Sequence, residues 1–347
     1  MSAAQDIWNE ISDYRDTIHA IIGFLNFYRF DHKLRVLRDD VTVFQGRRLK
    51  PSPAKGVTAE GNPVKHVTPD FGVMHVLGRH VLGDVKKSFP QDQELWQDAF
   101  RQLMSYDDHL TGWPCPTGCV ESHDVVLLTH QTRAVRVRDY LVAMEAAGEV
   151  AFERPFAIIS FNQGRNGEEH YFFQKQHGGL SDKDLDDLLY EGRAVMMKVF
   201  LAEYSTVKLY DAPPPMPYLA WLIWENVINQ KAEGDPKYAR LRARQKVVVE
   251  VTVAEIAKEL EGDFSFRRLH GDNTDYQPSI PPKEWCVKAC DLFVRCKLAE
   301  WFDEAKKEKM RVYWRRIHDT LDYFVQACAE ETGPPPGQLQ LPGQSVD

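Results

Sequence analysis

The chain has 347 residues, of which 43% are hydrophobic and 27% charged, with a formal net charge of -8. That length exceeds what one hydrophobic core usually holds, so two domains are expected in an ordinary globular protein rather than a disordered or fibrous one. The acidic balance excludes a general nucleic-acid coating protein, and no run approaches the ~20 apolar residues of a membrane span or the basic-then-apolar start of a secretory leader, which gives a cytoplasmic expectation with no membrane partner.

From Gln5 to about Tyr28 the apolar residues Ile7, Ile11, Tyr14, Ile18, Ile21, Ile22 and Leu25 recur at three- and four-residue intervals, which predicts an amphipathic helix. Short alternating or apolar runs come next at Val41–Phe44, Phe71–Leu77, His80–Lys86 and Asp124–Leu128, punctuated by Gly46, Gly56, Gly61 and Gly78, and these read as strands. Between the last two, Gln93–Asp107 places Trp96, Ala99, Phe100, Leu103 and Met104 at helical spacing. The expected order is therefore helix, three strands, helix, strand. Further strands at Phe156–Phe161 and His170–Lys175 and a helix from Ser181 to about Tyr204 extend the same region. The stretch Asp211-Ala-Pro-Pro-Pro-Met-Pro217 can continue neither a helix nor a central strand, so the domain boundary is placed there. The expected division is an α/β domain over 1–212, a second domain over 213–331 and a disordered tail over 332–347.

The segment that carries chemistry is Thr68-Pro69-Asp70, a hairpin, and then Gly83-Asp84-Val85-Lys86-Lys87. Asp84 and Lys86 are two apart on a strand and share a face. A two-residue turn at Gly78-Arg79 places Asp70 opposite Lys87, with Gly72 or Gly83 as the host of a bulge that corrects the remaining offset. Two carboxylates converging with an ammonium suit phosphodiester hydrolysis. The acids hold one or two Mg²⁺ (or Mn²⁺) ions, and the lysine orients the metal-bound water or stabilises the charge that develops on phosphate. The plain structural alternative is a turn cap at Asp70 and a solvated strand end at Asp84 and Lys86.

On these residues the segment resembles the PD-(D/E)XK nuclease superfamily, which includes restriction endonucleases, Holliday-junction resolvases and RecB-like exonucleases. Pro69-Asp70 and Asp84-Val85-Lys86 fit its signature in order and spacing, and the element order fits its core, a restriction-endonuclease-like mixed sheet flanked by helices. Gln102-Leu-Met-Ser-Tyr106 looks like the Q-x-x-x-Y element of the RecB-like branch, with both residues on one helix face. The resemblance implies that Gln102 contacts the attacking water or a phosphate and that Tyr106 contacts the strand backbone. It also implies an acid on the first helix as a metal ligand, which maps to Glu10, although that helix also offers Asp6, Asp13 and Asp16. It covers roughly residues 5–130.

From about Leu241 the chain reads as a winged helix. Thr252-Val-Ala-Glu255 is a capping box, and Pro281-Pro282 starts a second helix with Trp285, Ala289, Leu292, Phe293 and Cys296 on its apolar stripe. Leu298–Phe302 and Met310–Arg315 alternate around a charged turn, as in a wing. Candidate phosphate contacts are Lys87, the cluster of Arg240, Arg242 and Arg244, the inter-helix loop residues Arg267 and Arg268, and Lys307, Lys309 and Arg311 on the wing. Against this stands a solvated basic face, or a winged helix used for protein docking. Cys115-Pro-Thr-Gly-Cys119 and His123 offer metal-ligand chemistry, but the three-residue spacing favours buried thiols.

These observations converge on a metal-dependent nuclease acting on DNA, in defence or repair. Two rivals remain: a nucleic-acid-binding regulator that uses the fold as a scaffold, and a protein-docking subunit active only in a defence or repair complex. Cutting both strands would require two active sites, which a homodimer supplies.

Overall fold

The protein is described by a computed structural model over residues 2–31, 36–37, 41–44, 48–51, 66–75, 78, 80–86, 93–115, 120–164, 170–196, 214–234, 247–263, 266–270, 275–279 and 283–332. Lys87, Arg240, Arg242, Arg244, Cys119 and the tail beyond 332 lie outside the described residues. The chain divides into two compact units, one of residues 15–211 and 263–279 and one of residues 1–14, 212–262 and 280–347. The division falls in the proline-rich stretch, but residues 1–14 and 263–279 each belong to the unit that a single cut at 212 would not give them.

The chain opens with α1 (Ala3–Arg29), then a small pairing of β1 (Phe30–Asp31) with β2 (Val36–Leu37). Next come β3 (Val41–Phe44), β4 (Lys50–Pro51), β5 (Phe71–His75) and β6 (His80–Lys86). They are followed by α2 (Gln93–Met104), β7 (Leu110–Thr111), β8 (His123–His130) and α3 (Gln131–Ala146). The unit continues through β9 (Phe156–Gln163), β10 (His170–Gly178), α4 (Lys183–Glu191) and β11 (Arg193–Met196). Seven strands form one mixed sheet in the order β11-β10-β9-β8-β6-β5-β3. Its centre, β6-β8-β9, is parallel, and the pairings outside it are antiparallel.

Alternation along the strands divides the core in two. One face buries Phe71, Val73, Val81, Val85, Val126 and Leu128 against Phe24 and Tyr28 of α1 and Leu185 and Leu189 of α4. The other buries Leu82, Val125, Leu127 and Ile158 against Phe100 and Leu103 of α2 and Val137 and Leu141 of α3. Cover on both faces is why the parallel strands read as continuous apolar runs rather than alternating ones.

The β5–β6 register differs from the two-residue-turn expectation. Phe71 pairs with Gly83 and Val73 with Val81, so Asp70 is opposite Asp84, not Lys87, and this ladder contains no bulge. The reason lies in the glycines. Phe44 pairs with Gly72 and Phe71 with Gly83, and a Cβ on either glycine would run into the partner's ring. These cross-strand aromatic–glycine pairs admit one register only.

The predicted long helix over 181–204 ends at Glu191. Gly192 at φ +87° breaks it, a conformation that L side chains rarely adopt, and β11 follows. Helix α3 was not among the expected elements, although Ala134, Val137, Leu141 and Met144 form its buried stripe.

The other unit contains α5 (Met216–Ile223), whose Pro217 lies in the first turn, where no amide donor is needed. The helix runs on through a π turn, Trp224–Ile228, in which the Asn229 N–H donates to Trp224 O, and then α6 (Asn229–Glu233). Later in the chain come β12 (Val247–Thr252), α7 (Val253–Asp263), β13 (Phe266–His270) and β14 (Asp275–Ser279), these two strands belonging to the first unit, and α8 (Lys283–Arg295). The last elements are β15 (Ala299–Trp301), β16 (Lys309–Trp314) and α9 (Thr320–Thr332). Strands β12, β16 and β15 form an antiparallel sheet in that order, and the Trp224, Phe293 and Phe324 rings pack together in the core. The capping box forms as expected: the Glu255 N–H donates to Thr252 Oγ1 at 3.1 Å and the Thr252 N–H to Glu255 Oε2 at 2.7 Å. Strands β13 and β14 pair as a hairpin, so Arg267 and Arg268 fall on a strand rather than in an open loop.

Candidate active site

Asp84 and Lys86 project from the C-terminal end of β6 toward α2, on the same face as Leu82. Asp70 lies at the bend before β5, and its Oδ2 accepts the Val85 N–H at 2.8 Å. Lys86 Nζ is 2.6 Å from Asp84 Oδ2, and it donates to Gln102 Oε1 at 3.2 Å. Gln102 Nε2 donates to Tyr106 OH at 2.9 Å. The Tyr106 hydroxyl has Asp84 Oδ1 and Thr68 O each at 3.3 Å, and its one proton serves one of them at a time. The five residues singled out from the sequence thus form one connected cluster around a ring of contacts, Asp84–Lys86–Gln102–Tyr106–Asp84. Tyr106 reaches it from the turn after α2, because the helix expected to run to Asp107 ends at Met104, two residues before Tyr106.

Asp84 is 1% exposed. Its Oδ2 is paired with the Lys86 ammonium at 2.6 Å. Burial, and then the charge of Asp84, push the Asp70 carboxyl well above the usual carboxylate range, against the opposing pull of the Val85 N–H and Lys86. Burial lowers the Lys86 pKa, but the charges of Asp84 and Asp70 overcome that and hold the ammonium above its ordinary value. Burial, with both carboxylates beside it, keeps the Tyr106 hydroxyl protonated. The cluster therefore sets two carboxyl groups against one cation, so that a proton or a second cation shared by the carboxyls is favoured.

An oxygen-rich pair of this kind fits a hard divalent cation. Asp70 and Asp84 would hold it, because a carboxylate oxygen keeps a second lone pair beyond the single bond that Val85 N–H or Lys86 makes to it. Among the described residues no group of three His, Cys, Asp or Glu forms a fuller metal cage. Mg²⁺ takes one or two carboxylates and fills its remaining positions with water and substrate phosphate, so the pair suffices. Glu10 is an exposed residue of the other unit.

The cations expected on a wing are engaged within the protein. Lys307 Nζ donates to both Asp291 oxygens at 2.8 and 2.9 Å, Lys309 is 2.6 Å from Glu250, and Arg311 is 2.9 Å from Glu300. Lys309 and Arg311 also lie over the Phe302 ring at 4.7 and 4.8 Å. Pairs this exposed add little stability, but they neutralise the local charge. His123 proves to be a hydrogen-bonding core residue, with its Nε2 2.6 Å from Tyr106 O.

Two contacts near the cluster escaped the sequence reading. Thr68 supplies a main-chain oxygen to Tyr106, and the Thr129 hydroxyl donates to Lys86 O at 3.0 Å. Thr129 did leave a signal, as a hydroxyl ending the apolar run Val125-Val-Leu-Leu128 on a strand buried on both faces. No family model, curated protein or solved structure matches the chain.

Proposed function

We propose that the protein is a metal-dependent nuclease of the PD-(D/E)XK kind, hydrolysing phosphodiester bonds of DNA. The reading is carried by the convergence of Asp70, Asp84, Lys86, Gln102 and Tyr106 at one sheet end. It is supported by the run α1, β3, β5, β6, α2, β8, which has the order of that superfamily's core. A Mg²⁺ or Mn²⁺ ion bound by Asp70 and Asp84 would offset phosphate charge and lower the pKa of water. Asp84 keeps its carboxylate aimed at the site through the Tyr106 hydroxyl. Lys86, fully protonated, faces the charge that grows on the non-bridging phosphate oxygens. Gln102 fixes the ammonium through its oxygen and Tyr106 through its amide, so the cation meets substrate in one orientation rather than sampling the rotamers of a long side chain.

The test is incubation of the wild type and Lys86→Ala with linear duplex, circular duplex and single-stranded DNA, in Mg²⁺, Mn²⁺ or EDTA. Metal-dependent cleavage that vanishes in the variant is expected, and its absence from the wild type on every substrate would sink the reading. If both strands are cut, sedimentation on duplex DNA should show a homodimer.

For the C-terminal unit, the order α5, β12, α7, α8, β15, β16 supports a winged helix, and the paired wing cations favour docking to a protein of a defence or repair complex over phosphate contact. Replacing Lys309 and Arg311 by Gln should then leave DNA affinity within about twofold, whereas phosphate contacts would cost a clear drop and a shallower salt dependence.

A further inference from the structure

We infer that β8 is the positioning strand of the cluster, with Thr129 fixing Lys86 and His123 fixing Tyr106, each through a main-chain oxygen. The inference rests on the nuclease reading of that cluster. Thr129 is in register with Lys86, 0% exposed, and its hydroxyl donates to the Lys86 carbonyl at 3.0 Å. Lys86 is the last residue of β6. Its ammonium stands at the end of a flexible stem, so the backbone beneath it has to be fixed for Nζ to keep its place between Asp84 and Gln102.

At the other end of the strand His123 is 2% exposed, and its Nε2 is 2.6 Å from the Tyr106 carbonyl oxygen. A carbonyl only accepts, so Nε2 carries the proton, and Nδ1 is left buried with no partner. The ring packs on Trp113 at 5.3 Å between centroids. Tyr106 belongs to a turn whose own N–H donates back to Leu103 O, and the adjoining Asp107 accepts the N–H groups of Glu153 and Arg154 at 2.7 and 2.8 Å. The turn is thus held by α2 at its amide and by β8 at its carbonyl, and that aims the Tyr106 hydroxyl at Asp84. One strand in the parallel centre of the sheet ties both ends of the Lys86–Gln102–Tyr106 arm to a common frame, and both ties end on backbone rather than on the reacting groups.

The experiment compares Thr129→Val, Thr129→Ser, His123→Ala and His123→Gln with the wild type in metal-dependent cleavage, thermal melting and hydrogen exchange over residues 84–86 and 105–108. Valine keeps the shape of threonine and removes only the donor, while serine and glutamine each keep a donor. The expected result is a kcat lowered on the order of 10- to 100-fold in Thr129→Val and His123→Ala with KM little changed, restored largely by Thr129→Ser and His123→Gln. Exchange should quicken in the matching segment, and only there. Full activity in Thr129→Val and His123→Ala would overturn the inference. So would a loss of activity that follows global melting and is not rescued by Ser or Gln. If the wild type cleaves nothing, the nuclease reading fails by itself, and exchange then decides: localised, rescued quickening upholds the tether, and unchanged exchange removes it.

Discussion

The Asp70 carboxylate accepts the main-chain N–H of Val85 at 2.8 Å, just beyond the Phe71–Gly83 pair that ends the β5–β6 ladder. A side chain thus extends the strand pairing by one more bond and brings Asp70 beside Asp84. The cost is electrostatic. The Asp70 pKa is raised in the fold, so between the ordinary carboxylate pKa and this raised value the folded protein binds more protons than the unfolded chain. Stability contributed by the group is present below that window and lost as pH rises through it.

Replacing Asp70 by Asn removes the repulsion with Asp84 and leaves an oxygen to accept the Val85 N–H. Asp70→Asn should therefore melt higher than the wild type at neutral pH in EDTA, by roughly 2–4 °C for each kcal/mol relieved, and should lose the stabilisation that Mg²⁺ held by the pair would give the wild type. Calorimetry with and without metal checks both; a lower melting point in EDTA would show that the carboxylate's bonds outweigh its repulsion.

Gln102 is exposed, so its substitution tests chemistry with little effect on the core. Gln102→Leu frees the Lys86 ammonium and the Tyr106 hydroxyl together, and cleavage should fall on the order of tenfold with an unchanged melting temperature. Lys86→Ala should abolish it. Equal effects of the two would mean that Gln102 is doing more than orienting the lysine.

The aromatic–glycine pair predicts a compensated defect. Gly83→Ala drives a methyl into the Phe71 ring and should cost about 1–3 kcal/mol, the range for overpacking a tight core. Phe71→Leu in the same chain should recover part of that loss, because the smaller side chain vacates the volume. A double variant no better than the sum of the two singles, measured by denaturant unfolding, would disprove the steric coupling.

Burial brings both His19 and His123 from 6.5 down to about 4. Between these values the unfolded chain takes up protons that the folded state refuses, so stability falls as pH drops from 6.5 toward 4 and is insensitive to these groups above 6.5. Melting curves across that interval should show the decline, and His123→Gln should flatten it. An undiminished slope in that variant would assign the acid sensitivity elsewhere.

Much of this arrangement was legible from the residue pattern. Strands β3 and β6 fall on the expected bounds, and Asp84, Lys86 and Gln102 point where their spacing implied. The register was not legible, because it is set by two rings lying over two glycines on neighbouring strands, and such a pairing has no local signature. Nor was the end of α4 at Gly192, since helical spacing of apolar residues continues past a glycine whose dihedral ends the helix. The ties from Thr129 and His123 reach across 43 and 17 residues, and only the fold brings them to the carbonyls they hold.

The π turn at Trp224–Ile228 holds one residue more than an α-helix of the same length needs. That surplus keeps Asn229 in phase to accept the Trp314 Nε1 proton at 2.7 Å and to donate to Glu225 at 2.7 Å. A lineage that lost a single codon in this stretch would regularise the helix without breaking it, and would surrender only the angular setting of α6. A one-residue deletion within 224–228 should therefore keep the helix while loosening the Asn229–Trp314 bond.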